Sequence, residues 1–158
     1  MLYTPEELQR RDASRWTSVQ AVLAPAQFAA FALSLVLITR YLATGNGFPA
    51  ASASVVVKTL LLYAIMVTGS LWEHDVYGRY LFARAFFWED VVSMVVIALH
   101  TAYLAALLSG TVSARAQMFL ALVAYSTYVF NAGQYLVKFG AARRQRRREA
   151  LALPEAQL

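Results

Sequence analysis

The chain has 158 residues, enough for one domain, and 59% of them are hydrophobic, with a mean hydropathy of +0.50; this points to a small polytopic membrane protein rather than a soluble globule. It contains no cysteine, which excludes disulfides, thiolate chemistry, iron–sulfur clusters and cysteine-ligated zinc. The net charge of +5 sits in short runs beside apolar segments, so it reports topology and makes nucleic acid a poor candidate partner.

The opening LYTPEELQRRDAS has no early apolar run and does not read as a secretory signal. Thr4 can cap a helix, Pro5 suits its first position and Glu7 completes a capping box. Residues 4–18 are expected to form a helix lying on or leading into the membrane, with Trp16 at the interface. Four apolar spans follow, at about 19–41, 53–72, 88–108 and 116–137. Each is close to the ~20 residues that cross ~30 Å of hydrocarbon. Pro25 is expected to kink the first. Short turns, ATGNGFPAAS and SGTVSA, join the first span to the second and the third to the fourth.

Charge orients these spans. Arg10, Arg11 and Arg15, then Arg79 and Arg84, then Lys138 and the arginines from Arg143 fall on one side, with all nine acidic residues. The positive-inside rule makes that side cytoplasmic, with both termini there. Arg40, Lys58 and Arg115 are expected near the opposite face, where long side chains snorkel. The basic tail, 138–158, is expected as a frayed helix that meets anionic membrane lipid. The expected fold is all-α: an integral membrane four-helix bundle, one domain over 1–158, with an N-terminal interfacial helix and a basic C-terminal tail.

The chemistry-bearing stretch is SLWEHDVYGRYLFARAFFWED, residues 70–90. WEHD closes one helix and WED opens the next, so Glu73, His74, Asp75, Glu89 and Asp90 are expected at one membrane depth, marked by Trp72 and Trp88. Clustered carboxyl groups in partly apolar surroundings can serve as general acids near neutral pH. The plainer reading is solvated helix-end charges paired with Arg79 and Arg84. Glu89, Ser93, Val96 and His100 recur at helical spacing and share one face. His100 then lies ~16 Å below Glu89, near mid-membrane. An imidazole there needs a partner or a ligand; its packing partner would be Asn131 or Tyr128. Thr59, Met66, Gly69 and Ser70 on the second span, Tyr128, Asn131 and Tyr135 on the fourth, and Gln20 and Gln27 on the first are candidates to line the same interior.

Three longer strings, LYTPEELQRRDASRWTSVQAVLAP, VVVKTLLLYAIMVTGSLWE and YGRYLFARAFFWEDVVSMVVIALHTAYLAALL, resemble the 2-vinyl (3-vinyl) bacteriochlorophyllide hydratases of purple phototrophic bacteria. The resemblance covers roughly residues 1–138 and leaves the basic tail outside. It implies a hydro-lyase of the bacterial inner, intracytoplasmic membrane that takes part in bacteriochlorophyll a synthesis. Water would add to the C3 vinyl group of chlorophyllide a or 3-vinyl bacteriochlorophyllide a, giving the 3-(1-hydroxyethyl) product. The substrate carries its own magnesium, and no further cofactor is expected.

Under that resemblance, Glu89 is the expected acid, with Asp90 or Glu73 as its partner. His100 is the expected axial ligand of the chlorin magnesium, and His74 is the second choice. Arg79 or Arg84 would hold the propionate, and Asn131 and Tyr128 would contact the pigment. Whether another pigment-synthesis enzyme hands the substrate over stays open. The rival functions are a non-catalytic pigment-binding or assembly subunit, an ion or proton transporter, and a structural bundle without a ligand.

Overall fold

The protein is described here by a computed structural model covering residues 2–152. Five helices follow in chain order: α1 (Pro5–Ala13), α2 (Arg15–Thr44), α3 (Phe48–Tyr77), α4 (Phe87–Ser109) and α5 (Ala114–Ala152). Among the described residues α2, α3 and α4 are long and apolar enough to cross a membrane. Residues 153–158 of the expected tail lie outside the described residues; up to Ala152 the tail is a continuation of α5.

The start of α1 follows its sequence signal. The Thr4 side chain accepts from the Glu7 amide at 3.2 Å, and Glu7 Oε2 accepts from the Thr4 amide at 2.7 Å. The single helix expected over 4–18 is corrected to two. Ser14 takes an extended conformation, closing α1 and capping α2 through its hydroxyl. That hydroxyl also donates to Asp75 Oδ2 at 2.6 Å, so the break is fixed by the end of α3. Helix α2 continues through Pro25.

Helix α2 packs along α3 and α4 along α5; the two pairs meet through α2–α5 and α3–α4 contacts, and α1 rests on α3. Between them lies an apolar core that includes Phe31, Ile38, Val55, Leu62, Val96 and Tyr103. Polar groups are threaded through it. Tyr125 donates to Ser34 at 2.6 Å, Ser54 donates to Ser34 at 2.8 Å, and Tyr103 donates to Ser52 at 3.0 Å. Hydroxyl pairs of this kind hold apolar helices in register where no water competes.

Lys58 departs from expectation. It is fully buried rather than snorkelling toward the far face. Helix α3 begins at Phe48, earlier than expected, with a proline in its first turn, so Lys58 stands nearly three turns inside the helix. It shares the buried stripe of Ala51, Val55 and Leu62, and the stripe carries it into the core.

Candidate functional site

The site grows from the connection between α3 and α4. Gly78 ends α3 at φ 72°, a left-handed conformation that costs glycine little. The chain then doubles back through residues 79–86 into the first turn of α4, which carries Glu89 and Asp90 where the helix dipole favours anions. Phe82 sits at φ 59°, costly for a bulky residue by about 1–2 kcal/mol. What holds it there is visible. The Phe82 amide donates to Asp90 Oδ2 at 2.7 Å, and the Ala83 amide donates to Glu73 Oε2 at 3.2 Å. Two consecutive loop amides are thus aimed at two acids from different helices.

The carboxyl groups of Glu73, from α3, and Asp90, from α4, are thereby held on the same turn of the loop. Tyr135 of α5 donates to Asp90 Oδ1 at 3.3 Å. Phe86 anchors the loop from below. It is 1% exposed and packs against the rings of Trp72, Tyr77, Tyr135 and Phe139.

Glu89 faces another way. Its Oε2 is 2.5 Å from Nζ of Lys138 on α5, and that amine also bonds the carbonyl oxygen of Ala85. Ser93 and Asn131 lock the backbone beneath: both donate to the Glu89 carbonyl, at 2.8 and 2.9 Å, and Ser93 shares a 3.0 Å bond with Asn131 Oδ1. Asn131 therefore binds about two to three turns above His100 instead of to it.

Two cavities meet here. The larger, about 850 Å³, is an apolar groove along α5 whose polar side chains are Glu89, Lys138 and Gln134, with Val129, Phe130 and Gly133 among its walls. The smaller, about 450 Å³, is lined by Arg79, Arg84, Glu7 and Tyr77. Leu2 and Ala85 line both. An apolar trough with one carboxyl–amine pair thus adjoins a basic mouth, an arrangement suited to a flat apolar molecule with an acidic substituent.

The other expected residues are placed as follows. His100 is fully buried. Its Nδ1 bonds the Val96 carbonyl at 2.7 Å and its Nε2 meets Lys58 Nζ at 3.0 Å. With Nδ1–H donating to the carbonyl, Nε2 accepts from the amine. Lys58 in turn lies 3.7 Å from the centre of the Tyr128 ring, a cation–π contact. Both His100 nitrogens are engaged, and ligation of a metal would displace Lys58. His74 is exposed and stacks on Tyr80 at 4.3 Å. Neither histidine lines the groove. Asp75 is turned to Ser14, away from the other acids. Gln20 joins α2 to α3 through Thr68, at 2.6 Å, and the Ile65 carbonyl. Gln27 is 2% exposed, and its Nε2 has no hydrogen-bond partner among the described residues.

Lys138 carries no sequence signal beyond being the first basic residue after the fourth apolar span. The ion pair within the cluster joins Glu89 to Lys138, not to Arg79 or Arg84.

A family model described as 2-vinyl bacteriochlorophyllide hydratase matches residues 3–141. A protein named 2-vinyl bacteriochlorophyllide hydratase from Rhodobacter capsulatus is 63% identical over 144 residues, covering 91% of this chain and 84% of the relative. One of the same name from Cereibacter sphaeroides is 62% identical over 142 residues, covering 90% of this chain and 88% of the relative. No solved structure matches.

Proposed function

The chain belongs to the 2-vinyl bacteriochlorophyllide hydratase family, and from that premise we propose how its groove hydrates a vinyl chlorin. The substrate is a magnesium chlorin, chlorophyllide a or 3-vinyl bacteriochlorophyllide a, and the product carries a 3-(1-hydroxyethyl) group. The macrocycle lies in the apolar groove against Val129, Phe130 and Gly133. Its propionate reaches Arg79 and Arg84 in the adjoining mouth.

Glu89 is the general acid. The observation that carries this role is that Glu89 is the carboxyl group lining the groove, while Glu73 and Asp90 are bound behind it. It protonates the terminal vinyl carbon, leaving a cation on the carbon beside the ring, which the conjugated macrocycle delocalises. Water adds to that carbon and loses a proton. The Glu73–Asp90 pair supplies a fixed negative environment that offsets the cation. Preorganised charge of this kind needs rigid support, and the loop amides of Phe82 and Ala83 provide it.

Gln134 lines the groove, its amide oxygen accepts from Asn131 Nδ2 at 3.4 Å, and the second lone pair of that oxygen is the preferred axial donor to the substrate magnesium. His100, Tyr128 and Lys58 hold the bundle together below the site. Helix α5 supplies a fourth crossing beside α2, α3 and α4, with α1 at the interface and both termini cytoplasmic in the bacterial inner membrane. The overall reaction places the enzyme among hydro-lyases.

The experiment supplies chlorophyllide a in ¹⁸O-labelled water to membranes holding wild type or Glu89→Gln and follows the product by chromatography. Wild type is expected to give labelled 3-(1-hydroxyethyl) product and Glu89→Gln to lose at least about 100-fold in rate with pigment still bound. A Glu89→Gln variant as fast as wild type would remove Glu89 from the acid role. A well-folded wild type that binds pigment and makes no product would leave a pigment-binding subunit in its place.

A further inference from the structure

Glu89 does not act alone in the groove. Lys138 meets its Oε2 at 2.5 Å, bonds the Ala85 carbonyl and lies 5.0 Å from the centre of the Phe86 ring. These contacts aim the amine at one carboxyl oxygen. The pair is largely dry: the Glu89 side chain is 8% exposed and that of Lys138 27%. Resting on the hydratase reading above, we propose that Glu89 and Lys138 form one acid–base unit with a single transferable proton, in which Lys138 is the positioning residue that stores the proton between turnovers.

The proton balance is simple. At rest the proton is on the amine and the carboxylate is anionic. Moving it across the short hydrogen bond gives a carboxylic acid beside a neutral amine. That form separates no charge, so apolar surroundings penalise it less than they penalise the ion pair. The carboxylic acid then gives its proton to the terminal vinyl carbon, and the vinyl π pair becomes the new C–H bond. A lone pair of water forms the C–O bond at the adjacent cation. The proton that water releases returns to Glu89 and passes back to Lys138. One water is consumed, and neither an oxidant nor a reductant is needed.

An ion pair that merely ties α5 to α4 needs the charge of Lys138 and not its proton. The two readings therefore part at a permanent cation. Arginine keeps its protons in proteins while still pairing with a carboxylate. A second route follows from the composition. The chain has no cysteine, so Lys138→Cys introduces a single thiol at this position. Alkylation with 2-bromoethylamine rebuilds a primary amine there. Alkylation with (2-bromoethyl)trimethylammonium rebuilds the charge without a transferable proton.

The assay is hydration of chlorophyllide a by the full chain in detergent, with pigment binding read in parallel and treated wild type as control. Lys138→Arg and Lys138→Cys are expected to bind pigment with KM near wild type and to lose at least about 100-fold in kcat. The aminoethyl adduct is expected to restore most of the rate and the trimethylammonium adduct none of it. Equal rescue by both reagents overturns the proposal, as does rescue by neither. So does a kcat for Lys138→Arg within about threefold of wild type. Should Lys138→Cys fail to fold, Lys138→Arg decides alone, because it retains the charge. An inactive wild type overturns the hydratase reading and this one with it; an active wild type beside an active Lys138→Arg overturns this one only.

Discussion

Gly133 offers a way to separate the groove from the fold. It sits inside α5 and lines the apolar cavity. A Cβ built there meets no atom within 4 Å, so a side chain at this position enters open space. A glycine inside a helix costs about 1 kcal/mol relative to alanine, and leucine ranks close to alanine. Gly133→Leu is therefore expected to hold or raise stability, by up to about 1 kcal/mol. Its four added carbons occupy the trough where the macrocycle is proposed to lie. Keeping roughly 100 Å² of apolar surface out of contact, at ~25 cal/mol per Å², weakens binding by about 2.5 kcal/mol, or about 60-fold in Kd. Absorbance titration of the detergent-solubilised variant with chlorophyllide a measures the affinity, and a thermal scan measures the stability. An unchanged Kd in a stable Gly133→Leu protein would show that the pigment lies elsewhere. A fall in Tm of several degrees would show that the space at Gly133 is not open.

Other expectations separate structural from chemical roles. His100→Leu leaves the Lys58 amine without its imidazole acceptor and is expected to cost about 2–3 kcal/mol; the double variant Lys58→Met/His100→Leu should recover most of that and still bind pigment, and its loss of pigment in a folded state would return His100 to the ligand role. Asp90→Asn keeps an acceptor for the Phe82 amide and is expected to stay within about 1 kcal/mol of wild type while kcat falls about tenfold, whereas Asp90→Leu orphans both that amide and the Tyr135 hydroxyl and should lower stability by about 2–3 kcal/mol, read by thermal unfolding. Gln134→Leu is expected to raise KM with little change in kcat; an unaltered KM would remove Gln134 as the axial donor.

The acid cluster was legible in the sequence because covalent connection nearly enforces it. Glu73 ends one helix, Asp90 begins the next, and the loop between them is too short to hold them far apart. Asn131 and Tyr135 were legible as a stripe at helical spacing. Lys138 was not, because its partner lies 49 residues away and nothing in the local pattern distinguishes it from the arginines that follow. The burial of Lys58 turned on where α3 begins: a start at Ala53 leaves it within two turns of the helix end, while the observed start at Phe48 sinks it into the core. The left-handed Phe82 and the break at Ser14 are equally non-local, since each is held by a carboxylate on another helix.

A polar residue on an apolar helix is thus a weak guide to chemistry until its partners are known. His100 met every sequence criterion for a ligand: depth, face and an imidazole. Yet its two nitrogens are taken by Val96 and Lys58, and a donor already engaged twice has nothing left to offer a metal without breaking the packing. Glu89 met weaker criteria, since a helix-end acid is common. Its backbone carbonyl is the group Ser93 and Asn131 hold, and its side chain lines the apolar groove beside Lys138. The bundle therefore has two polar layers of different kind. The deeper layer spends its hydrogen-bonding capacity on joining helices. The layer at the α3–α4 connection is braced from behind by loop amides and presents Glu89 and Lys138 to the groove, and this difference, rather than depth in the membrane, is the ground on which Glu89 is proposed as the acid.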